Sequence, residues 1–296
     1  VLYVGPSVGI ADLALNPENP QVLFAAAYRF RRTPWSYSNG GPEDAIYKST
    51  DSGMTWQKLS GHGLPEKPVT RIGLAIAPSE PNTVYAVMGS DEGSLWRSDD
   101  AGEHWDLVSK DQEVDVRPFY FSHIAVDPKN PNHILALSND LEESHDGGHT
   151  FHAIAKQIHG DHHTLWIDPD GSGRIIEGND GGVALSRDNA RHWAFVHNLA
   201  IGQFYHVSTG SGPFYTVCGG LQDNSAWCGP ARSKDPSGIL DRMWITLNGG
   251  DGMFAIQAAD KPDLIYNSTQ NGVWMTFDRG EQQVHDMEPY PRDISG

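Results

Sequence analysis

Apolar positions in this chain fall in short alternating runs, too brief for helices and bounded by turn residues. Four pairs of runs are joined by a Pro/Asn turn. Ile10–Leu15 leads through Asn16-Pro17-Glu18-Asn19-Pro20 to Val22–Ala27, and Ile72–Ala77 leads through Pro78-Ser79-Glu80-Pro81-Asn82 to Val84–Met88. Ile124–Asp127 reaches Ile134–Leu137 through Pro128-Lys129-Asn130-Pro131-Asn132, and Leu165–Asp168 reaches Arg174–Glu177 through Pro169-Asp170-Gly171. Period-two alternation punctuated by Pro, Asn and Gly predicts antiparallel strands in a meander.

A second turn follows each pair, with the pattern Ser-x-Asp-x-Gly-x-Thr-Trp. It is complete at Ser49, Asp51, Gly53, Thr55 and Trp56. The next copy keeps Ser98, Asp100, Gly102 and Trp105, with His104 in the Thr place. The third keeps Ser144, Asp146, Gly148 and Thr150, with Phe151 for Trp. The fourth keeps Ser186, Asp188 and Trp193 but has Ala190 at the Gly position, so a modified turn is expected there. The Asp accepts hydrogen bonds from backbone N–H groups of its own turn, and Gly supplies a positive φ. The aromatic residue then packs between sheets. Such a unit, recurring every 40–50 residues or so, marks a propeller or solenoid. The pattern resembles the Asp box, or bacterial neuraminidase repeat. That resemblance implies a β-propeller and a structural role for the turn.

The expected architecture is therefore all-β, with four-stranded antiparallel blades whose strands run A to D outward from the axis. The Pro/Asn turn joins A to B, and the box joins C to D. Two blades without a box are expected, from Phe204 to about Leu247 and from Met253 to about Pro289. Val1–Val4 reads as an outer strand of an earlier blade, which also leaves no secretory leader visible. Residues 1–296 are expected to be a single propeller domain of about six blades: either Val1–Val4 closes a six-bladed ring with the last blade, or, as favoured here, the chain is a fragment of a larger propeller.

In such a meander the A–B and C–D turns share one end of each blade, and the B–C and D–A connections share the other. The chemically unusual residues all fall at that second end, where loops on a rigid scaffold tend to carry function. His159, Asp161, His162 and His163 lie close enough in sequence to hold a divalent metal such as Ca²⁺ or Zn²⁺, although no cofactor is required. Equally, the histidines could hydrogen-bond neighbouring loops. Asp161, Asp180, Asp223 and Asp251 are candidate catalytic acids for a glycosidic bond; alternatively each caps its own turn. Candidate ligand contacts are Arg29, Arg32, Trp35 and Tyr37 in the insertion Arg29–Asp44, then Arg117, Tyr120, Gln222, Asn224, Gln270 and Asn271.

Charge narrows the partners. A formal net charge of −17 argues against nucleic acid and anionic lipid. No apolar stretch is long enough to insert in a membrane. Cys218 and Cys228 either form a disulfide, in keeping with an oxidising compartment, or remain two buried thiols.

Four segments carry a further resemblance: Arg117-Pro118-Phe119-Tyr120, Asp161-His162-His163-Thr164-Leu165-Trp166-Ile167-Asp168-Pro169, Asn179-Asp180-Gly181-Gly182 and Gly220-Leu221-Gln222-Asp223-Asn224. With these the chain resembles large bacterial proteins bearing a sortilin-type N-terminal propeller. The resemblance implies export, further domains in a longer chain, and an extracellular or periplasmic location. Proteins of this kind are often described as glycosyl hydrolases. Sortilin-like propellers bind peptides and proteins, whereas the related tandem-propeller xyloglucan-cleaving hydrolases use paired aspartates. Asn179-Asp180-Gly181-Gly182 is similar to one of the latter's catalytic loops, while Asp251 stands where the family's version of its loop usually carries Glu. Three functions follow as expectations: binding of a glycan or polypeptide on the loop-rich face, glycoside hydrolysis by paired aspartates, or docking of other domains of the same chain. The Phe/Tyr-Arg-Ile-Pro segment usual in sialidases is absent.

Overall fold

A computed structural model describes residues 2–66, 68–199, 201–211 and 213–287. It contains six antiparallel sheets and divides into two compact units, Val1–His197 and Asn198–Gly296. The fold is an all-β propeller built from consecutive meander blades.

The first unit holds four blades. The first comprises Val8–Leu15, Leu23–Thr33, Ala45–Ser49 and Gln57–Lys58. The second comprises Ile72–Ile76, Val84–Met88, Leu95–Ser98 and Asp106–Ser109. The third runs through His123–Asp127, Asn130–Leu137, Leu141–Ser144 and His152–Ile154. The fourth runs through His162–Ile167, Ile175–Asn179, Gly182–Ser186 and Trp193–Phe195. The second unit holds two blades, Phe204–Thr209, Thr216–Leu221, Ala226–Pro230 and Ile245–Thr246, then Gly252–Gln257, Leu264–Thr269, Trp274–Asp278 and Gln283–Asp286. Val1 and Pro289 lie outside the described residues. Leu2–Val4 carries no strand, contrary to the sequence expectation.

The recurrent turn has one hydrogen-bond scheme. In the first copy Asp51 accepts from the Thr55 backbone N–H at 2.8 Å and from the Thr55 hydroxyl at 2.6 Å. Ser49 Oγ donates to Asp51 at 2.8 Å and accepts from the Gly53 N–H at 2.9 Å. Histidine replaces Thr without loss, since His104 Nδ1 lies 2.7 Å from Asp100 and His192 Nδ1 lies 2.6 Å from Asp188. The fourth turn corrects the expectation of a modified geometry. Ala190 adopts φ 63°, its N–H still donates to Ser186 Oγ at 3.0 Å, and Trp193 Nε1 still donates to its carbonyl at 2.9 Å. The hydrogen bonds of the turn outweigh the modest cost of a left-handed alanine.

Three apolar clusters hold the first unit together, each between consecutive blades. Phe24 and Ile46 meet Val84, Trp96 and Trp105; Tyr85 and Leu95 meet Ile134, with Phe151 against them. Leu135 and Leu141 meet Ile175, with Trp193 against them. Trp105, Phe151 and Trp193 thus each pack between their own blade and the preceding one. Trp56 differs: it is half-buried and belongs to none of these clusters.

In the second unit a disulfide links Cys218 and Cys228, which are directly paired on adjacent strands. Around it gather Ala226, Leu247, Ala255, Ile265 and Phe277.

Candidate functional site

Register fixes which ends carry what. In the fourth blade His162 pairs with Asn179 at one end, while Ile167 pairs with Ile175 and Ile175 with Ser186 at the other. The box turn and the His159–His163 segment therefore lie at opposite ends of this blade.

At the end away from the boxes, connections from all four blades of the first unit converge. The insertion Arg29–Asp44 is not a loose loop. Leu23–Thr33 overruns its blade and pairs with Ser36–Asn39, Arg32 opposite Tyr37, through a tight turn at Pro34-Trp35. Asp44 secures its base, accepting from the Arg29 N–H at 2.8 Å and the Gly41 N–H at 3.1 Å. Burial pushes the Asp44 carboxyl up to about 6 despite those bonds.

The hairpin presents Phe30 and Tyr37 to Phe119, which arrives from the connection between the second and third blades. Phe30 and Phe119 stack with centroids 6.3 Å apart, and Tyr37 meets Phe119 edge-on at 5.5 Å. Tyr28 extends the row behind Phe30 at 5.9 Å, and Tyr120 extends it beyond Phe119 at 6.3 Å. Trp35 stands at the hairpin tip, 84% exposed, and Phe30 and Tyr37 are also exposed. The result is an aromatic shelf open to solvent.

A polar network adjoins the shelf. The Arg117 guanidinium donates to both oxygens of Asp161, at 2.7 and 2.8 Å, and lies 5.2 Å over the Tyr120 ring and 4.9 Å over Phe121. Tyr120 Oη donates to Asp180 Oδ2 at 2.9 Å, and His163 Nε2 sits 2.8 Å from Asp180 Oδ1. The Asp180 N–H donates to the Asp161 carbonyl at 3.2 Å, so the two candidate acids sit on adjoining backbone. Asp161 holds φ 57°, a left-handed conformation that Asp tolerates better than most side chains. Beneath, Arg71 donates to His123 Nε2 at 3.1 Å, and burial together with that guanidinium lowers the His123 pKa.

The three histidines proposed for metal go separate ways. His162 is buried with its Nδ1 2.6 Å from Glu177, which also accepts from Asn179 at 3.0 Å. His163 turns to Asp180, and His159 Nδ1 lies 2.9 Å from the Gly160 carbonyl. The histidine run is thus a set of individual side chains, each hydrogen-bonded to a partner of its own, at a strand start whose register shifts between His162 and Thr164.

In the second unit, the Asp223 N–H donates to Asp251 at 2.8 Å, and Asn224 Nδ2 to the Gln222 carbonyl at 2.9 Å. Gln270 Oε1 accepts from Thr269 at 3.0 Å, and Asn271 takes φ 64°. These residues gather at the loop end of their own two blades. Arg29 lies 3.8 Å from Glu43 at the hairpin base, whereas Arg32 is exposed on the hairpin opposite Tyr37. Sequence reasoning missed Arg71, His123 and Phe30 as members of the site. Trp35 and Tyr37 of the insertion and the Arg117-Pro118-Phe119-Tyr120 segment were the signals in sequence, and Phe30, next to them on its strand, completes the shelf.

No family model matches the chain. A xyloglucanase from Paenibacillus sp. is 25% identical over an alignment covering 91% of this chain and 29% of that protein. A xyloglucanase from Hypocrea jecorina is 32% identical across 34% of the chain and 12% of the relative. The chain spans less than a third of the length of either relative. Among solved structures, an ancestral GH74 enzyme aligns over 95% of this chain and 38% of its own, with 14% identity and a TM-score of 0.47. The chain is thus similar in sequence to part of these xyloglucanases.

Proposed function

We propose that the loop end of the first unit binds a glycan. The observation that carries this reading is the exposed shelf of Tyr37, Phe30 and Phe119 running into the network of Arg117, Asp161, Tyr120, Asp180 and His163. Apolar faces for sugar C–H groups beside a few fixed polar groups for hydroxyls are what a saccharide site requires. The xyloglucanase relatives make xyloglucan oligosaccharides the first ligands to try. The same proposal places the site on an exported Asp-box propeller of the sortilin-like kind that carries further domains in a longer chain. In the structure no helix among the described residues is long and apolar enough to cross a membrane.

Hydrolysis is the second reading, favoured by the adjoining Asp161 and Asp180. Both carboxylates are engaged on both oxygens, but Asp180 is the better candidate for chemistry, because its partners Tyr120 and His163 can exchange protons whereas Asp161 is held by the permanently charged Arg117. Asp223 and Asp251, paired in the second unit, remain candidates for the same role.

Calorimetric titration with xyloglucan oligosaccharides tests the proposal. Replacing exposed Tyr37 or Trp35 with Ala is expected to weaken binding about fivefold or more, with no change in melting temperature. Unchanged affinity in both variants would remove the shelf from the site. Release of reducing ends by the intact chain, abolished in Asp180→Asn while binding persists, would establish the enzyme reading.

A further inference from the structure

A second cluster of chemistry lies at the opposite, box-turn end of the first unit. Glu143, on Leu141–Ser144, is nearly buried, yet three imidazoles converge on its carboxylate. His133 Nε2 is 2.8 Å from Oε1, while His152 Nε2 and His145 Nε2 are 3.2 and 3.4 Å from Oε2. Strand geometry explains the convergence. Glu143 and His145 alternate onto one face, His152 is the cross-strand partner of Glu143, and His133 stacks on His145 with centroids 4.5 Å apart.

We propose that His133, Glu143 and His145, with His152 as a further donor, form a binding site for a divalent transition-metal ion of the Zn²⁺ type. The donor set is imidazole nitrogen with one carboxylate, which suits such ions and not Ca²⁺ or Mg²⁺. Metal–ligand bonds of about 2.0–2.2 Å set tetrahedral donors roughly 3–3.5 Å apart. The nitrogen-to-oxygen separations here fall close to that span and the donor atoms of His133, Glu143 and His145 lie within 4.8 Å of one another, so the exposed His145 ring need only turn out of its stack on His133 to face the ion.

Two further observations point to a ligand. His133 Nδ1 lies 2.9 Å from Asp127, the carboxylate–histidine arrangement that fixes a metal-binding tautomer and aims Nε2 inward. The cluster also opens on a cleft of about 560 Å³ lined by residues of the third and fourth blades, which gives an ion its entry path. Among the described residues this is the one group of His, Cys, Asp or Glu whose donor atoms meet closely enough for an ion.

The test is Zn²⁺ titration of the chelator-stripped intact chain, followed by calorimetry, elemental analysis and melting temperature. About one ion per chain is expected, with a higher melting temperature on loading. The His145→Ala/His152→Ala double variant should fold, since these side chains are 61% and 59% exposed, and should bind at least a hundredfold more weakly. Asp127→Asn should weaken binding about 10–100-fold through His133. A Co²⁺-loaded sample should show visible absorption bands that the double variant lacks. Absence of saturable Zn²⁺ binding, equal affinity in wild type and double variant, or equal affinity for Ca²⁺ would each overturn the proposal.

Discussion

Asp115 shows how much one buried carboxyl can bend the pH response of the first unit. It ends a short 3-10 turn, Gln112–Asp115, beneath the Arg117–Tyr120 segment, and accepts from Ser122 Oγ at 2.7 Å. Its other oxygen has no hydrogen-bond partner among the described residues. Burial pushes its carboxyl up to about 7, against the opposing Ser122 hydrogen bond and the Arg71 charge. The native state therefore keeps a proton that the unfolded chain has already released. Stability from this group is present at low pH and falls as pH rises through roughly 4 to 7. Asp115→Asn keeps the shape without the charge. It is expected to stabilise the protein by about 2–4 kcal/mol at pH 8 and to change little at pH 4, as read by denaturant melts at both values. The box aspartates act at the other limit. The Thr55 hydroxyl and N–H hold Asp51 down to about 2, so its contribution is present above about pH 4 and lost as pH falls towards 2.

At the scale of the element, the recurrent turn is legible in sequence because eight consecutive residues contain all its chemistry. Its aromatic residue is the link to packing. Trp105 is 3% exposed within the cluster joining the first two blades, so Trp105→Ala is expected to cost about 3–5 kcal/mol in denaturant unfolding. Half-buried Trp56 should cost clearly less, and equal losses would show that the turn, not the inter-blade packing, carries the energy. The strand pairs were equally readable, because alternation and Pro/Asn turns act over a few residues. The site was less so. The segments Arg117–Tyr120 and Asn179–Gly182 were marked in advance, but Arg117 meets Asp161 and Phe30 meets Phe119 only through the order of blades. The histidines are close along the chain, yet His159, His162 and His163 each take a different partner, Gly160, Glu177 and Asp180. Glu143 and His133 escaped notice because their meeting depends on the register between two strands.

At the scale of the whole chain, the two units differ in how they hold their cores. The first has three inter-blade clusters, whereas the second has one small cluster built around Cys218 and Cys228. Phe204, Val207, Phe214 and Ile256 in this second unit stay exposed, so apolar burial contributes less there. The disulfide should offset that deficit, since closing so short a loop in the unfolded chain is worth about 2–3 kcal/mol in the chain-entropy account. Reduction, or the Cys218→Ala/Cys228→Ala variant, is therefore expected to destabilise the second unit by that amount. Hydrogen exchange should speed up across residues 204–286 while the strands of the first unit keep their protection. If protection instead falls equally in both, the chain unfolds as one cooperative body and the disulfide acts on the whole of it. If protection does not change at all, the small core around Ala255, Ile265 and Phe277 suffices without the cross-link, and the pair's role is confined to the pairing of its two strands.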